Sequence, residues 1–440
     1  MENNRTHFLR YMFGLSLALC FSSSVSGQAN VSFSEVGLGW SKNSINATIF
    51  RRNSVVSTRN YQFVAYYDSS ATVVIARRKH GTDQWEIHRT QYRGNVNDAH
   101  NDISIMADGD GYLHLSWDHH NNLLHYSRSL DPEDFEMGPM ESMIGTEENA
   151  VSYPEFYRLP DGGLLFAYRD GGSGNGNMVL NRYDLKNRGW VRLQNNLIDG
   201  EGLRNAYWQL CVDVRGTIHV SWVWRETPDV HSNHDLCYAR SEDGGFTWEN
   251  SRGVLYKLPI KAESAEIICP IPQGSNLINQ TSMVVDSAGN PYIATYYKLA
   301  EDSCTQFRVI FCERGNWRSV VATHRTLDFE LGGVGSRNIP VSRPQLLIRE
   351  SKGEKTMVLI YRDEEVGNQV ILSAANVCYP EQWRSEMISP YPVDRWEPSY
   401  DTERWRRDQQ LDIYFQKVGQ GQGETTVEME PQMVGILEVR

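Results

Sequence analysis

The chain has 440 residues, 40% of them apolar, and a net charge of −12. That is ample material for a large buried core, and the acidic balance argues against a nucleic-acid partner, which would need a basic stripe. It leaves room for an anionic ligand, because a local cluster of Arg and His can bind acid groups within an acidic protein.

The first residues read as a secretory leader. Arg5 and Arg10 supply the positive end, and Met12 to Phe21 form an apolar run too short to span a bilayer. Val25 and Gly27 suit a cut before Gln28, which gives a leader over 1–27 and a mature chain over 28–440. The expected location is outside the cell or in the periplasm, with no membrane span in the mature chain. Export permits disulfides among Cys211, Cys237, Cys269, Cys304, Cys312 and Cys378, but the spacing matches no small disulfide scaffold.

Beyond the leader the chain repeats itself. Gly111-Tyr112-Leu113-His114-Leu115-Ser116-Trp117 returns as Gly216-Thr217-Ile218-His219-Val220-Ser221-Trp222. Looser copies begin near Tyr61, Leu164, Pro291, Met357 and Leu411. Seven units at roughly 50–75-residue intervals predict an all-β, seven-bladed propeller, since no single unit can bury both faces of its sheet. The leading run Val31-Ser32-Phe33 and the last run Met433 to Val439 are both strand-like, and pairing them in one blade would close the ring. Several units end in a Trp, and Ser241-Glu242-Asp243-Gly244-Gly245-Phe246-Thr247-Trp248 fits the Asp-box hairpin, a structural motif.

Candidate site residues fall where strands become loops. Histidines crowd the segment from His80 to His125. His100 precedes one strand of blade two, and His119 and His120 follow the next, so His100 and one of that pair should meet at one rim. His114 and His219 lie mid-strand and read as packing residues. In blade three, Tyr153 and Arg169 occupy the corresponding strand ends, and Tyr207 holds a similar place in blade four. His, Tyr and Arg converging on one pocket suit proton abstraction beside a carboxylate. A cation neutralises the acid group, a base takes the acidified proton, and an acid protonates the leaving oxygen. A second group, His231, His234 and Cys237, has spacing that suits zinc but reads better as a polar loop beside a buried thiol.

The strings from Asp98 through Ser129, Tyr153-Pro154, Tyr168-Arg169-Asp170-Gly171, and Tyr207 to Gly245 resemble the BNR-repeat propellers, among them the seven-bladed ulvan lyases that act on rhamnosyl-glucuronate linkages. Ser342-Arg343-Pro344 is the most familiar piece of the later blades. The resemblance implies a secreted lyase that cuts a uronic-acid polysaccharide by β-elimination. It places catalytic roles on His100, His120, Tyr153 and Tyr207, and substrate binding on Arg169, His119 and Arg343. Some such lyases hold a structural zinc, which would place His234 and Cys237 among its ligands; the chemistry itself needs no cofactor. The expected partner is an anionic polysaccharide, and the expected state is a monomer. Two alternatives remain: a glycoside hydrolase on similar glycans, which would need an acid/base set not evident here, and a glycan-binding propeller without catalysis.

Overall fold

A computed structural model describes residues 30–48, 53–279 and 282–440, so the expected leader lies outside the described residues. Strands dominate. They form seven antiparallel sheets arranged as the blades of a propeller, and the longest helix among the described residues is the single short one at Thr402–Asp408.

Blade one runs from Val55–Ser57 to Trp85–Arg93, blade two from Ile103–Ala107 to Tyr126–Arg128, and blade three from Val151–Arg158 to Gly189–Gln194. Blade four spans Asn205–Val212 to Glu266–Cys269, blade five Ser282–Val285 to Asn316–Val321, and blade six Gln345–Ser351 to Arg384–Met387. The first strands of blades one to six touch in succession around the axis. Burial falls off outward from there. In blade two, Ile103–Ala107 and Leu113–Trp117 are buried at every position, whereas the outer strand Trp85–Arg93 of blade one is mostly exposed. Fully buried strands carry continuous apolar runs, and the outer ones can carry polar residues.

Blade seven closes the ring as expected. Val31–Gly39 pairs with Gln432–Val439, Val31 opposite Val439, and Gln432–Val439 pairs with Leu411–Gln416. A polar clasp joins blade one to blade seven. Gln62 Nε2 donates to Asp401 and Asp412, at 2.9 Å each, and Arg78 pairs with Glu438 at 2.6 Å.

The repeated phrase has a local cause. Asp108 Oδ1 accepts from the backbone N–H groups of Asp110 and Tyr112, with Gly111 at φ 90°. Asp213 does the same for Arg215 and Thr217, with Gly216 at φ 91°, and Asp286 for Ala288 and Asn290. The carboxylate builds the turn, and Gly supplies the left-handed residue. The other oxygen of Asp108 faces His114 Nε2 at 3.3 Å, and that of Asp213 faces His219 at 3.9 Å. Each imidazole also meets a tyrosine hydroxyl, Tyr126 or Tyr238. The mid-strand histidines are therefore packing residues that tie turn to sheet. The Asp box is structural too: Asp243 accepts from the N–H groups of Phe246 and Thr247, and Trp248 is fully buried.

Candidate active site at one mouth of the propeller

The site starts in the loop that leads into blade two. Asp98 caps that loop by accepting from the backbone N–H of His100 at 2.9 Å. Its carboxylate then holds two imidazoles, His100 Nδ1 at 2.8 Å and His120 Nδ1 at 2.6 Å. The two rings stack, with centroids 4.2 Å apart. His120 belongs to a short strand, His120–Asn122, that leaves blade two and pairs with the first strand of blade three.

Tyr153 stands next in the row, 6.0 Å from His100 between ring centroids. It has φ 56°, and the strand bulges between Ser152 and Glu155. A left-handed tyrosine costs on the order of 1 kcal/mol or more, and such strain clusters at functional sites. Tyr207, on the first strand of blade four, follows at 6.2 Å from Tyr153. Four rings from three blades thus form one row: His120, His100, Tyr153 and Tyr207. All four line a cavity of about 240 Å³.

Behind the two phenols lie two guanidiniums. Arg169 stands over the Tyr153 ring at 4.7 Å, and Arg225 over the Tyr207 ring at 4.8 Å. Arg225 also donates to the Tyr207 oxygen at 3.0 Å. Burial would raise the Tyr207 hydroxyl, but the charges of Arg225 and Arg169 outweigh it and lower its pKa to about 8. Burial likewise opposes charge on His100. There the Tyr153 oxygen and the carboxylates of Asp98 and Glu424 prevail, and its pKa is held well above that of an ordinary imidazole. Asp98, despite its burial, is kept far below the usual carboxylate range by the two imidazoles.

The structure places the two neighbouring histidines differently. His119 is fully buried, faces His125, and does not line the cavity; burial, then His125, lowers its pKa to about 3. Its expected contact with substrate is corrected on that ground. Arg169 is also displaced from its expected place. It is 2% exposed, donates to Gly171 O and Ser152 Oγ, and supports Tyr153 from behind instead of lining the cavity. Arg343 does line the cavity, on the opposite wall, where Glu397 holds it at 2.7 Å.

Arg225 was not among the sequence candidates, although a signal for it exists. The second strands of blades three, four and six each carry an aromatic–Arg pair in their last few residues: Tyr168-Arg169, Trp224-Arg225 and Tyr361-Arg362. Aligning the units by their turns would have brought it out.

His234 and Cys237 do not converge on one point. Both ring nitrogens of His234 face carboxylates, Glu226 and Asp235, whereas Cys237 is buried in the core between blades three and four. Cys211 and Cys269 border a different core cluster. These donors do not fit a shared zinc ion. Among the described residues one trio of metal-capable side chains does converge, Asp98, His100 and His120, and there the carboxylate already engages both imidazoles. No disulfide joins the six cysteines of the described residues. No helix among those residues is long and apolar enough to cross a membrane.

A ring of seven sheets with a row of His and Tyr lining a cavity at one mouth defines the class as a seven-bladed β-propeller. Residues 61–325 match the BNR repeat-containing family, and the chain belongs to it. Among curated proteins it is 23% identical over 280 residues to the long isoform of an ulvan lyase from Glaciecola, a match covering 50% of this chain and 28% of that protein. It is 32% identical over 137 residues to the short isoform of an ulvan lyase from Alteromonas, covering 28% and 26%. The chain thus matches only about a quarter of the length of these relatives. Among solved structures, the polysaccharide lyase Uly1 superposes with a TM-score of 0.67 at 16% identity, covering 96% of this chain and 94% of that one. A PL25 ulvan lyase bound to -[GlcA(1-4)Rha3S]- superposes equally well, at 14% identity, covering 94% and 96%. At such identity these two likenesses establish the fold.

Proposed function

We propose that this protein is a secreted polysaccharide lyase that cuts a uronate-containing, rhamnose-bearing glycan by β-elimination. The observation that carries the proposal is the row His120, His100, Tyr153 and Tyr207, backed by Arg169 and Arg225. The ulvan lyase relatives support the same substrate class.

In this reading the charged His100, with His120 beside it, receives the uronate carboxylate and withdraws charge from it, which acidifies the C5 proton. Tyr153, flanked by the His100 cation and the Arg169 guanidinium, takes that proton as a phenolate. The C5–H electron pair becomes the C4–C5 double bond, and the C4–O bond breaks. Tyr207, a stronger acid than an ordinary tyrosine, gives its proton to the departing oxygen. Fixed cations favour the developing negative charge without reorganising. His100 is assigned to charge neutralisation and not to proton abstraction because its environment keeps it protonated.

The test is a screen of uronate polysaccharides, including a rhamnose–glucuronate polymer. Elimination produces an unsaturated uronate that absorbs in the near ultraviolet. New reducing ends without that absorbance would make the protein a hydrolase, and binding without either product would make it a lectin.

A further inference from the structure

Two glycine-rich loops meet over the mouth of the pocket. One, from Gly332 to Arg337, lies between blades five and six, and the other, from Gly419 to Glu424, leaves blade seven. The second loop is rooted at Gln420, whose Oε1 accepts from Ser44 N and Oγ at 3.1 and 2.9 Å. Its tip carries Glu424 across the opening. There Glu424 Oε1 accepts from Ser336 N at 3.0 Å and stands 3.3 Å from His100 Nδ1. The loops approach so closely that a Cβ on Gly335 would lie 2.8 Å from Glu424 Oε1.

Four side chains with titratable groups face His100: Asp98 from its own loop, His120 from the strand beside it, Tyr153 from blade three, and Glu424 from blade seven. Asp98 is locked by two imidazoles and a backbone N–H. Glu424 alone of the two carboxylates hangs on a run of glycines, Gly419, Gly421 and Gly423, and its side chain is 34% exposed. It is the carboxylate free to leave.

We propose that Glu424 is a built-in occupant of the seat for the substrate carboxylate, latching the two loops over the mouth until a uronate displaces it. The inference rests on the lyase reading for the identity of the incoming anion. Two carboxylates added to one imidazolium that already serves Asp98 would repel each other, so the seat holds one at a time. A uronate brings a carboxylate to exchange for that of Glu424. A neutral sugar brings none, and opening the latch then leaves His100 without its second anion. Glu424 is in this way a specificity-determining residue that selects acidic sugars by opposing neutral ones.

The experiment compares wild type with Glu424→Gln and Glu424→Asp, using D-glucuronate and D-glucose as probes and the His100 imidazole resonance as the readout. Removing the competing charge should tighten D-glucuronate binding roughly five- to tenfold in the Gln variant, with KM for a cleavable uronate polymer falling in step. The Asp variant, which keeps the charge but withdraws it by one methylene, should lie between Gln and wild type. Unchanged or weaker D-glucuronate binding in a folded Glu424→Gln protein overturns the latch. The two readings fail separately. If no uronate polymer is cut but the Gln variant still binds D-glucuronate more tightly, the lyase reading falls and the latch stands. If wild type is a lyase and neither KM nor D-glucuronate affinity moves in the Gln variant, the latch falls alone.

Discussion

Arg225 touches Tyr207 twice: its guanidinium lies 4.8 Å over the ring, and one of its N–H groups donates to the phenol oxygen at 3.0 Å. One contact fixes the plane of the ring and the other fixes the hydroxyl, so the charge that lowers the tyrosine also aims it.

That pairing sets an alkaline limit. Tyr207 must carry its proton to protonate the leaving oxygen, so turnover should fall as pH rises through about 8. Arg225→Gln removes the larger of the two lowering charges, so burial, which raises the pKa, weighs more. The alkaline limb should therefore move to higher pH while the plateau rate drops on the order of 10- to 10²-fold. A pH series of initial rates by near-ultraviolet absorbance decides it. An unmoved limb would remove Tyr207 from the acid role.

Arg169→Ala should lower the rate on the order of 10²- to 10³-fold, as expected for loss of a fixed charge behind the developing anion. Because Arg169 is buried and bonded to Ser152 and Gly171, the same change should also lower stability, by about 1–3 kcal/mol. The sequence placed Arg169 at a strand end, where strands become loops, but the structure buries it. Thermal denaturation beside the rate assay separates the two effects, and a folded Arg169→Ala protein of wild-type activity would exclude the pocket as the active site.

His114→Ala offers the opposite signature. The ring is fully buried between Asp108 and Tyr126, far down the strand from the cavity lining. Its removal leaves a cavity and a carboxylate without its partner, at a cost of roughly 2–4 kcal/mol. The folded fraction, measured well below the transition, should retain the wild-type rate per folded molecule.

Asp412 in the closure clasp should make stability depend on pH. Burial first, then the Asp401 charge, raises its pKa from 3.8 to about 6 in the folded protein. The folded state thus binds the proton more tightly than the unfolded chain does. This contribution is fully present below the unfolded value, near pH 4, and is lost as pH rises through about 6. Asp412→Asn, which still accepts from Gln62, should be more stable than wild type at pH 7.5, by about 1–3 kcal/mol. The gap should close by pH 4. Parallel melting curves of the two proteins across that range would expose a clasp that does not titrate.

What the amino-acid sequence determined is whatever recurs at short range. The Asp-to-Gly turn is built by one carboxylate on its own backbone, so it recurs with the strand that follows it; counting that repeated phrase with its looser copies gave seven units, and its mid-strand position gave the packing role of His114 and His219. The row of His100, Tyr153 and Tyr207 was legible for the same reason, since each holds an equivalent place near the start of its unit. Tertiary structure decided what depends on direction and distance. His120 leaves blade two to pair with blade three, and that crossing turns His119 inward and His120 toward the mouth, although the two are adjacent in sequence. Arg169, expected at a strand end, lies within a strand that runs on to Gly172, and it is covered because Tyr153, turned by its left-handed backbone, stands in front of it. Glu424 reaches His100 from the far end of the chain. No local pattern encodes such a meeting, because it exists only when seven sheets close into a ring and bring the loops of the last blade over the strands of the second.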